Sequence, residues 1–214
     1  MDGEHSDSFC GLDWLSTPAP SGGGCVLSSP RSGVLFTCDV EWFWHALYPS
    51  EAWRFYQHNL QPLFTIYRLL DVLAEHRVYG VFYCLGVIAK DDSAIVQAIA
   101  GRGHRLGSHG WAHQPYEREG DAGDQATRTL LPECIGYRPP YWNGMRRPGY
   151  GGGAFFRLLP YPLVKWEVQH SGELYVHPHD LDLHPGMLRR SFSLGDPWQK
   201  LERLLTEVTF RDPR

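Results

Sequence analysis

Gly33-Val34-Leu35-Phe36-Thr37-Cys38-Asp39-Val40-Glu41 is the stretch from which the fold follows. It is short, apolar and β-branched, without the polar alternation of a half-solvated strand, and that is the pattern of a strand covered on both faces. Its carboxyl end delivers two acids, and the two-residue period of a strand turns Asp39 and Glu41 to the same side. Two carboxylates so close repel each other unless a cation or a proton separates them. An isolated Asp-x-Glu is more often an acidic loop start. Its meaning therefore depends on what the neighbouring strands bring.

Downstream the rhythm repeats. Leu63, Ile66, Leu69, Leu70 and Leu73 are spaced as the apolar stripe of an amphipathic helix over Leu63 to His76. Gly80 to Leu85 reads as a second strand, Ser93 to Ala100 as a helix stopped by Gly101 to Gly103, and His104 to Ser108 as a third strand. This is the order of parallel βαβ units. Beyond Gln114 the signal weakens. Expected there are a helix over Asp124 to Leu131, a strand over Cys134 to Arg138, a helix over Ala154 to Leu159, a strand over Glu173 to His177 and a closing helix over Pro197 to Val208. Residues 1–32 are rich in Ser, Gly and Pro and read as a flexible tail, leaving 33–210 as one barrel-like α/β domain with its polar residues at strand carboxyl ends.

Composition bounds the function. With 43% hydrophobic and 21% charged residues in 214, most of the chain should fold as a single domain. A formal charge of −4 excludes a general basic field for nucleic acid or an anionic membrane. The five cysteines are odd in number and contain no close pair, as free thiols in a reducing compartment would. No apolar run approaches the roughly 20 residues of a membrane span, and the acidic start lacks the features of a signal peptide, so a soluble, cytoplasmic protein is expected.

His109-Gly110-Trp111-Ala112-His113 places two imidazoles four positions apart, which on a helical turn lets both rings meet one cation. Chance alone produces such a pair in roughly one chain of this histidine content in two. Its position after a short strand, beside the end of the strand that carries Glu41, raises its weight. One carboxylate and two neutral imidazoles are a common catalytic zinc ligand set with a coordination position left open. Arg138, in Gly136-Tyr137-Arg138-Pro139-Pro140, would hold Asp39 bidentately and keep it ionised if buried, but on these residues alone a surface arginine beside a turn is the stronger reading. His177, in Tyr175-Val176-His177-Pro178-His179-Asp180-Leu181-Asp182, ends the last strand and suits a general acid, whereas His179, Asp182 and His184 read as solvated loop residues. There is no G-x-S-x-G elbow, and Gly151-Gly152-Gly153 lacks the Lys-Ser/Thr of a phosphate loop.

These pieces in this order resemble the polysaccharide deacetylases with a NodB homology domain, carbohydrate esterase family 4, above all the cytoplasmic branch of bacterial exopolysaccharide loci. Asp39-Val40-Glu41 matches its D-V-E, Ser108 to His113 its histidine motif, Gly136 to Pro140 its G-Y-R-x-P, Gly151 to Tyr161 its G-G-G-Y-F-R-L-x-P-Y, and Tyr175 to Asp182 its Y-x-H-P-W-E-L-D. The resemblance implies a distorted or incomplete (β/α)7 barrel that removes N-acetyl groups from amino sugars of a polysaccharide or oligosaccharide. It implies Asp39 as base, Glu41, His109 and His113 as ligands of a divalent metal, zinc matching best, Arg138 orienting the base and His177 as acid. Trp111, Tyr141 and Trp142 lie beside these motifs and are candidates to stack on sugar rings.

The chain departs from the pattern in its middle, which is shorter between His113 and Tyr137 and much shorter between Tyr141 and Gly151. The expected aspartate partner of His177 falls in the lost part, so an open groove near Tyr141 to Gly153 and a poorly held His177 are expected. Two other functions fit the same residues. One is hydrolysis of a small linear or cyclic amide, separable by substrate screening. The other is a non-catalytic member that binds saccharide or metal, marked by bound metal without acetate release.

Overall fold

Leu35–Val40 forms β1, a central strand of the computed structural model, which describes residues 33–42, 45, 61–114, 116–142, 154–182 and 193–214. The tail expected over 1–32, the triglycine at 151–153 and His184 lie outside these residues. Strand β1 pairs on one side with β2 (Gly80–Cys84) and on the other with β4 (Glu173–Val176), while β3 (Arg105–Ser108) adds to β2. All three pairings are parallel. Phe36, Cys38 and Val40 are buried, and so are Thr37 and Asp39 on the opposite pleat, as the unbroken apolar reading of the strand requires. The sheet order β3-β2-β1-β4 is open among the described residues, which is the incomplete form of the expected barrel.

Parallel strands end at one edge. Val40, Cys84, Ser108 and Val176 are therefore neighbours, and whatever follows each strand converges on a single place. The expected strand over Cys134 to Arg138 is reduced to one bridge between Tyr137 and Ser108. Ile135 N–H donates to the Leu106 carbonyl at 2.8 Å and Arg138 N–H to the Ser108 carbonyl at 2.9 Å, before Pro139, which has no N–H to give, ends the pairing.

Helix α1 (Gln61–Glu75) lays Ile66, Leu69, Leu70 and Leu73 into the core at the spacing read from the sequence. Helices α2 (Gly86–Asp91), α3 (Ser93–Gly101) and α4 (Tyr116–Arg128) follow, α4 starting well before Asp124 and bending at Gly120, whose φ is 50°. The remaining helices are α5 (Ala154–Leu158), α6 (Tyr161–Ser171), α7 (Pro178–Leu181) and α8 (Pro197–Glu207). The sequence reading missed α6 because its apolar residues form no stripe: Val164 and Val168 are buried while Leu163 and Trp166 are exposed.

Gly86, at the start of α2, is required by packing. A Cβ there would come within 2.3 Å of Trp111 Cε3 and 2.5 Å of Thr127 Oγ1. Gly86→Ala should cost about 1–3 kcal/mol, the usual range for forcing extra volume into a packed interior. Urea unfolding checks this, and an unchanged midpoint would show that Trp111 yields freely.

Candidate metal centre

Three segments meet at the carboxyl edge of the sheet. Glu41 directly follows β1, its N–H turned back to the Asp39 carbonyl at 3.0 Å. His109 follows β3, and its N–H donates to the Cys84 carbonyl at the end of β2, 2.9 Å away. His113 is not on the helical turn that its spacing suggested: Gly110 and His113 have φ of 78° and 58°, and these left-handed residues fold the loop so that the two rings lie 5.3 Å apart. Helix α2 carries that loop. Its first-turn N–H groups have no partner inside the helix, and those of Gly86 and Val87 donate to the carbonyls of Gly110 (2.9 Å) and Trp111 (3.0 Å). Thr127 Oγ1 adds a bond to the Gly110 carbonyl at 2.9 Å.

Glu41 Oε2 lies 3.4 Å from His109 Nε2 and 2.5 Å from His113 Nε2, with all three side chains buried. One donor atom from each falls within 4.8 Å of the others. His109 Nδ1 stands 2.8 Å from the Arg138 carbonyl, which can only accept, so the proton sits on Nδ1 and the Nε2 lone pair faces the carboxylate. Neither that Nε2 nor Glu41 Oε2 has a hydrogen-bond partner. Buried polar atoms left so are uncommon. The electrostatics point the same way. Burial lowers the His109 pKa, but Asp39 and Glu41 outweigh it and the net shift is upward. Glu41, which burial alone would raise, is held well below the usual carboxylate range by the His177 charge and by the facing imidazoles of His109 and His113. The cluster calls for positive charge, and its donor set fits a divalent transition metal with an open position.

Asp39 is engaged quite differently. Its Oδ1 accepts from Arg138 Nη1 at 2.9 Å and its Oδ2 from the Tyr175 hydroxyl at 2.8 Å. Arg138 does not grip Asp39 with both nitrogens as expected, because Nη2 goes to Glu173 Oε1 at 2.5 Å. Glu173 opens β4 beside β1, so strand pairing supplies a second carboxylate to the same guanidinium. Burial disfavours the Arg138 charge, yet the two acids hold its pKa above the ordinary value. The rings of Tyr83, Trp142 and Tyr175 surround its guanidinium carbon at 4.1, 4.5 and 5.0 Å.

The expectation of a His177 without a carboxylate partner is overturned. His177 Nδ1 is 2.7 Å from Asp180 Oδ2, and the same oxygen accepts the His177 N–H at 3.0 Å. Pro178 opens α7 immediately after the strand, and in that first turn the third helical residue faces back to its cap. A local turn thus supplies the carboxylate partner that His177 was expected to lack. The spacing of His177 and Asp180 behind a proline is the signal that could have revealed it.

A proton count follows from these bonds. The Tyr175 hydroxyl has one hydrogen, donated to Asp39, so the 2.5 Å contact between its oxygen and His177 Nε2 needs the proton on nitrogen. With Nδ1 also donating to Asp180, His177 is an imidazolium. Its pKa, which burial would lower, is raised to about 9, chiefly by Asp180 and Glu41. His179, read as solvated, is buried: its ring stacks on His177 at 4.7 Å and its Nε2 lies 4.0 Å from Glu41 Oε1. Asp182 is half-buried and accepts a hydrogen bond from Thr65. His45, unremarked in the sequence, lies near the cluster, and its pKa falls to about 4 through burial and the charges of His113 and His109, against the pull of Glu41.

Of the three aromatic candidates, Tyr141 is 54% exposed and meets the His113 ring edge-on at 4.5 Å. Trp142 packs edge-on against Tyr175 at 5.4 Å, and half-buried Trp111 lies against Gly86. The expected groove over 141–153 lies mostly outside the described residues.

Fold and site define a parallel α/β domain with a candidate metal centre at the carboxyl edge of its sheet, flanked by a tethered acid and a paired histidine. Residues 62–144 match the family model for polysaccharide deacetylase. A chitooligosaccharide deacetylase of Sinorhizobium fredii is 34% identical over 81 residues, covering 34% of this chain and 37% of that protein. The peptidoglycan-N-acetylmuramic acid deacetylase PdaA of Bacillus subtilis is 37% identical over 136 residues, 56% of this chain and 52% of that protein. The chain thus spans about half or less of the length of these relatives. Among solved structures, a mutant of a carbohydrate esterase family 4 pseudoenzyme from Bacillus anthracis, with restored enzymatic activity, superposes with a TM-score of 0.55 at 14% identity, covering 83% of this chain and 62% of that one. At that identity the likeness speaks for the fold. Among the described residues no helix is long and apolar enough to cross a membrane.

Proposed function

We propose that this chain is a metal-dependent hydrolase that removes N-acetyl groups from amino sugars of an oligosaccharide or polysaccharide. Glu41, His109 and His113 hold the metal, zinc by its donor set, while Asp39 is the base and His177 the acid. The observation that carries this reading is the division between the two acids. Both Asp39 oxygens hold hydrogen-bond donors, whereas Glu41 Oε2 is buried with no hydrogen bond and faces two imidazoles. A cation bound there supplies Lewis acidity to the amide carbonyl and to the attacking water. Asp39, aimed by Arg138, takes the proton of that water. His177 delivers its proton to the leaving amine, and Tyr175 ties acid and base together at fixed distance. Exposed Tyr141, over His113, offers a face for a sugar ring.

Acetylated glucosamine or muramic acid units are the substrate class that the names of the relatives support. Free thiols at Cys38, Cys84 and Cys134 favour a reducing, cytoplasmic compartment. The test is acetate release by the purified chain from acetylated chitooligosaccharides and peptidoglycan fragments, before chelation, after it and after zinc is restored. Release that chelation leaves unchanged, or turnover confined to small ureides and imides, would overturn the reading.

The acid has a pH signature. His177 must be protonated to act, so kcat should fall on the alkaline side as pH rises through about 9. Asp180 is the strongest influence raising that pKa. Asp180→Asn should move the alkaline limb down towards the ordinary histidine range and cut kcat by about 10- to 100-fold. A limb that stays in place in the variant counts against His177 as the acid.

A further inference from the structure

We propose that Arg157 is a positioning residue for His177, acting through Asp180; only the kinetic part of this rests on the deacetylase reading. Arg157 sits on α5 with 3% of its side chain exposed, and its Nε lies 3.8 Å from Asp180 Oδ1, itself on a side chain 1% exposed. Asp180 uses its other oxygen, Oδ2, for both bonds to His177. The terminal torsion of an aspartate is broad, so its carboxylate turns readily. A guanidinium opposite the second oxygen fixes that rotation, and with it the direction in which His177 is held.

Arg157 is itself clamped. Its carbonyl accepts from the Leu194 N–H at 2.9 Å and from Lys200 Nζ at 3.3 Å, and the same buried ammonium reaches the carbonyls of Phe156 (2.8 Å) and Leu159 (2.9 Å). The carboxyl end of α5, whose last carbonyls have no partner within the helix, is thereby tied to α8. Burying a cation is costly unless it is paired, and Asp180 is the acid that faces it. The line Lys200, Arg157, Asp180, His177 runs from the far helix to the acid.

The experiment uses the full chain loaded with zinc. The low-field proton resonance of the His177 Nδ1–H is identified by its loss in His177→Gln and then followed in Arg157→Met, which keeps the side-chain length without the charge, and in Arg157→Lys. We expect the line to move upfield or broaden away in Arg157→Met and to persist in Arg157→Lys. We also expect kcat to fall about tenfold in Arg157→Met with KM and bound zinc unchanged, the size typical of losing an outer orienting partner. Should Arg157→Met fail to fold, Arg157→Gln replaces it and the same line decides. A resonance identical to wild type in a folded variant without the guanidinium overturns the proposal. If no acetylated sugar is turned over by the wild type, the deacetylase reading fails and the resonance still decides the role of Arg157.

Discussion

Zinc-loaded Asp39→Asn is expected to keep the metal and to lose turnover by about 10²–10⁴-fold, the range of a proton transfer in the transition state. The substitution preserves shape and removes charge. The asparagine carbonyl can still accept from Arg138, and the Tyr175 hydroxyl can turn to accept from the new amide, so the surrounding bonds survive in altered direction. None of the three donor atoms that converge on one point belongs to Asp39, which is why metal content should not change. What vanishes, on the proposed mechanism, is the acceptor for the proton of water. Metal analysis with initial rates on the same preparation separates these effects. Near wild-type turnover would remove Asp39 from its role, and loss of zinc would move it into the ligand set.

Removal of the imidazoles should have the opposite signature. His109→Ala is expected to weaken zinc by more than about a hundredfold, beyond the effect of losing an outer partner, and the double variant with His113→Ala should hold none. Activity should follow occupancy. The physical reason is the compactness of the cluster: Glu41 Oε2 faces His109 and His113 at 3.4 and 2.5 Å, and alone it offers one oxygen against the hydration of the ion. The described residues include a second group, Glu41 with His177 and His179, that could keep a cation after the first pair is lost. Full occupancy in the double variant would therefore transfer the site to that side of Glu41, and the assignment to His109 and His113 would be wrong.

Much of this is legible in the sequence. Burial of β1 on both faces, the stripe of α1 and the βαβ order follow from periodicity, which neighbouring residues carry among themselves. The meeting of Glu41, His109 and His113 is also legible, since Asp39-Val40-Glu41 and His109 to His113 each follow a strand and parallel strands end together. Where the reading erred, the missing information was a register or a loop conformation. The spacing of His109 and His113 implied a helical turn, but left-handed backbone at Gly110 and His113 brings the rings together instead. The reading of His179 as solvated failed because burial belongs to the packing of α7, not to its composition.

By itself, then, the sequence determined the class of fold and the acids and imidazoles available for chemistry, because strand and helix periods and strand ends are local properties. Tertiary structure alone decided how those groups are held. The Tyr175 hydroxyl reaches Asp39 across 136 positions, and Arg138 is shared between Asp39 and Glu173 only because β4 pairs with β1 in one register. Likewise, His177 became a paired imidazolium when the turn at Pro178 carried Asp180 back to it. These contacts depend on which strands pair and how chain ends turn, and side chains a hundred positions apart leave no local trace of that choice.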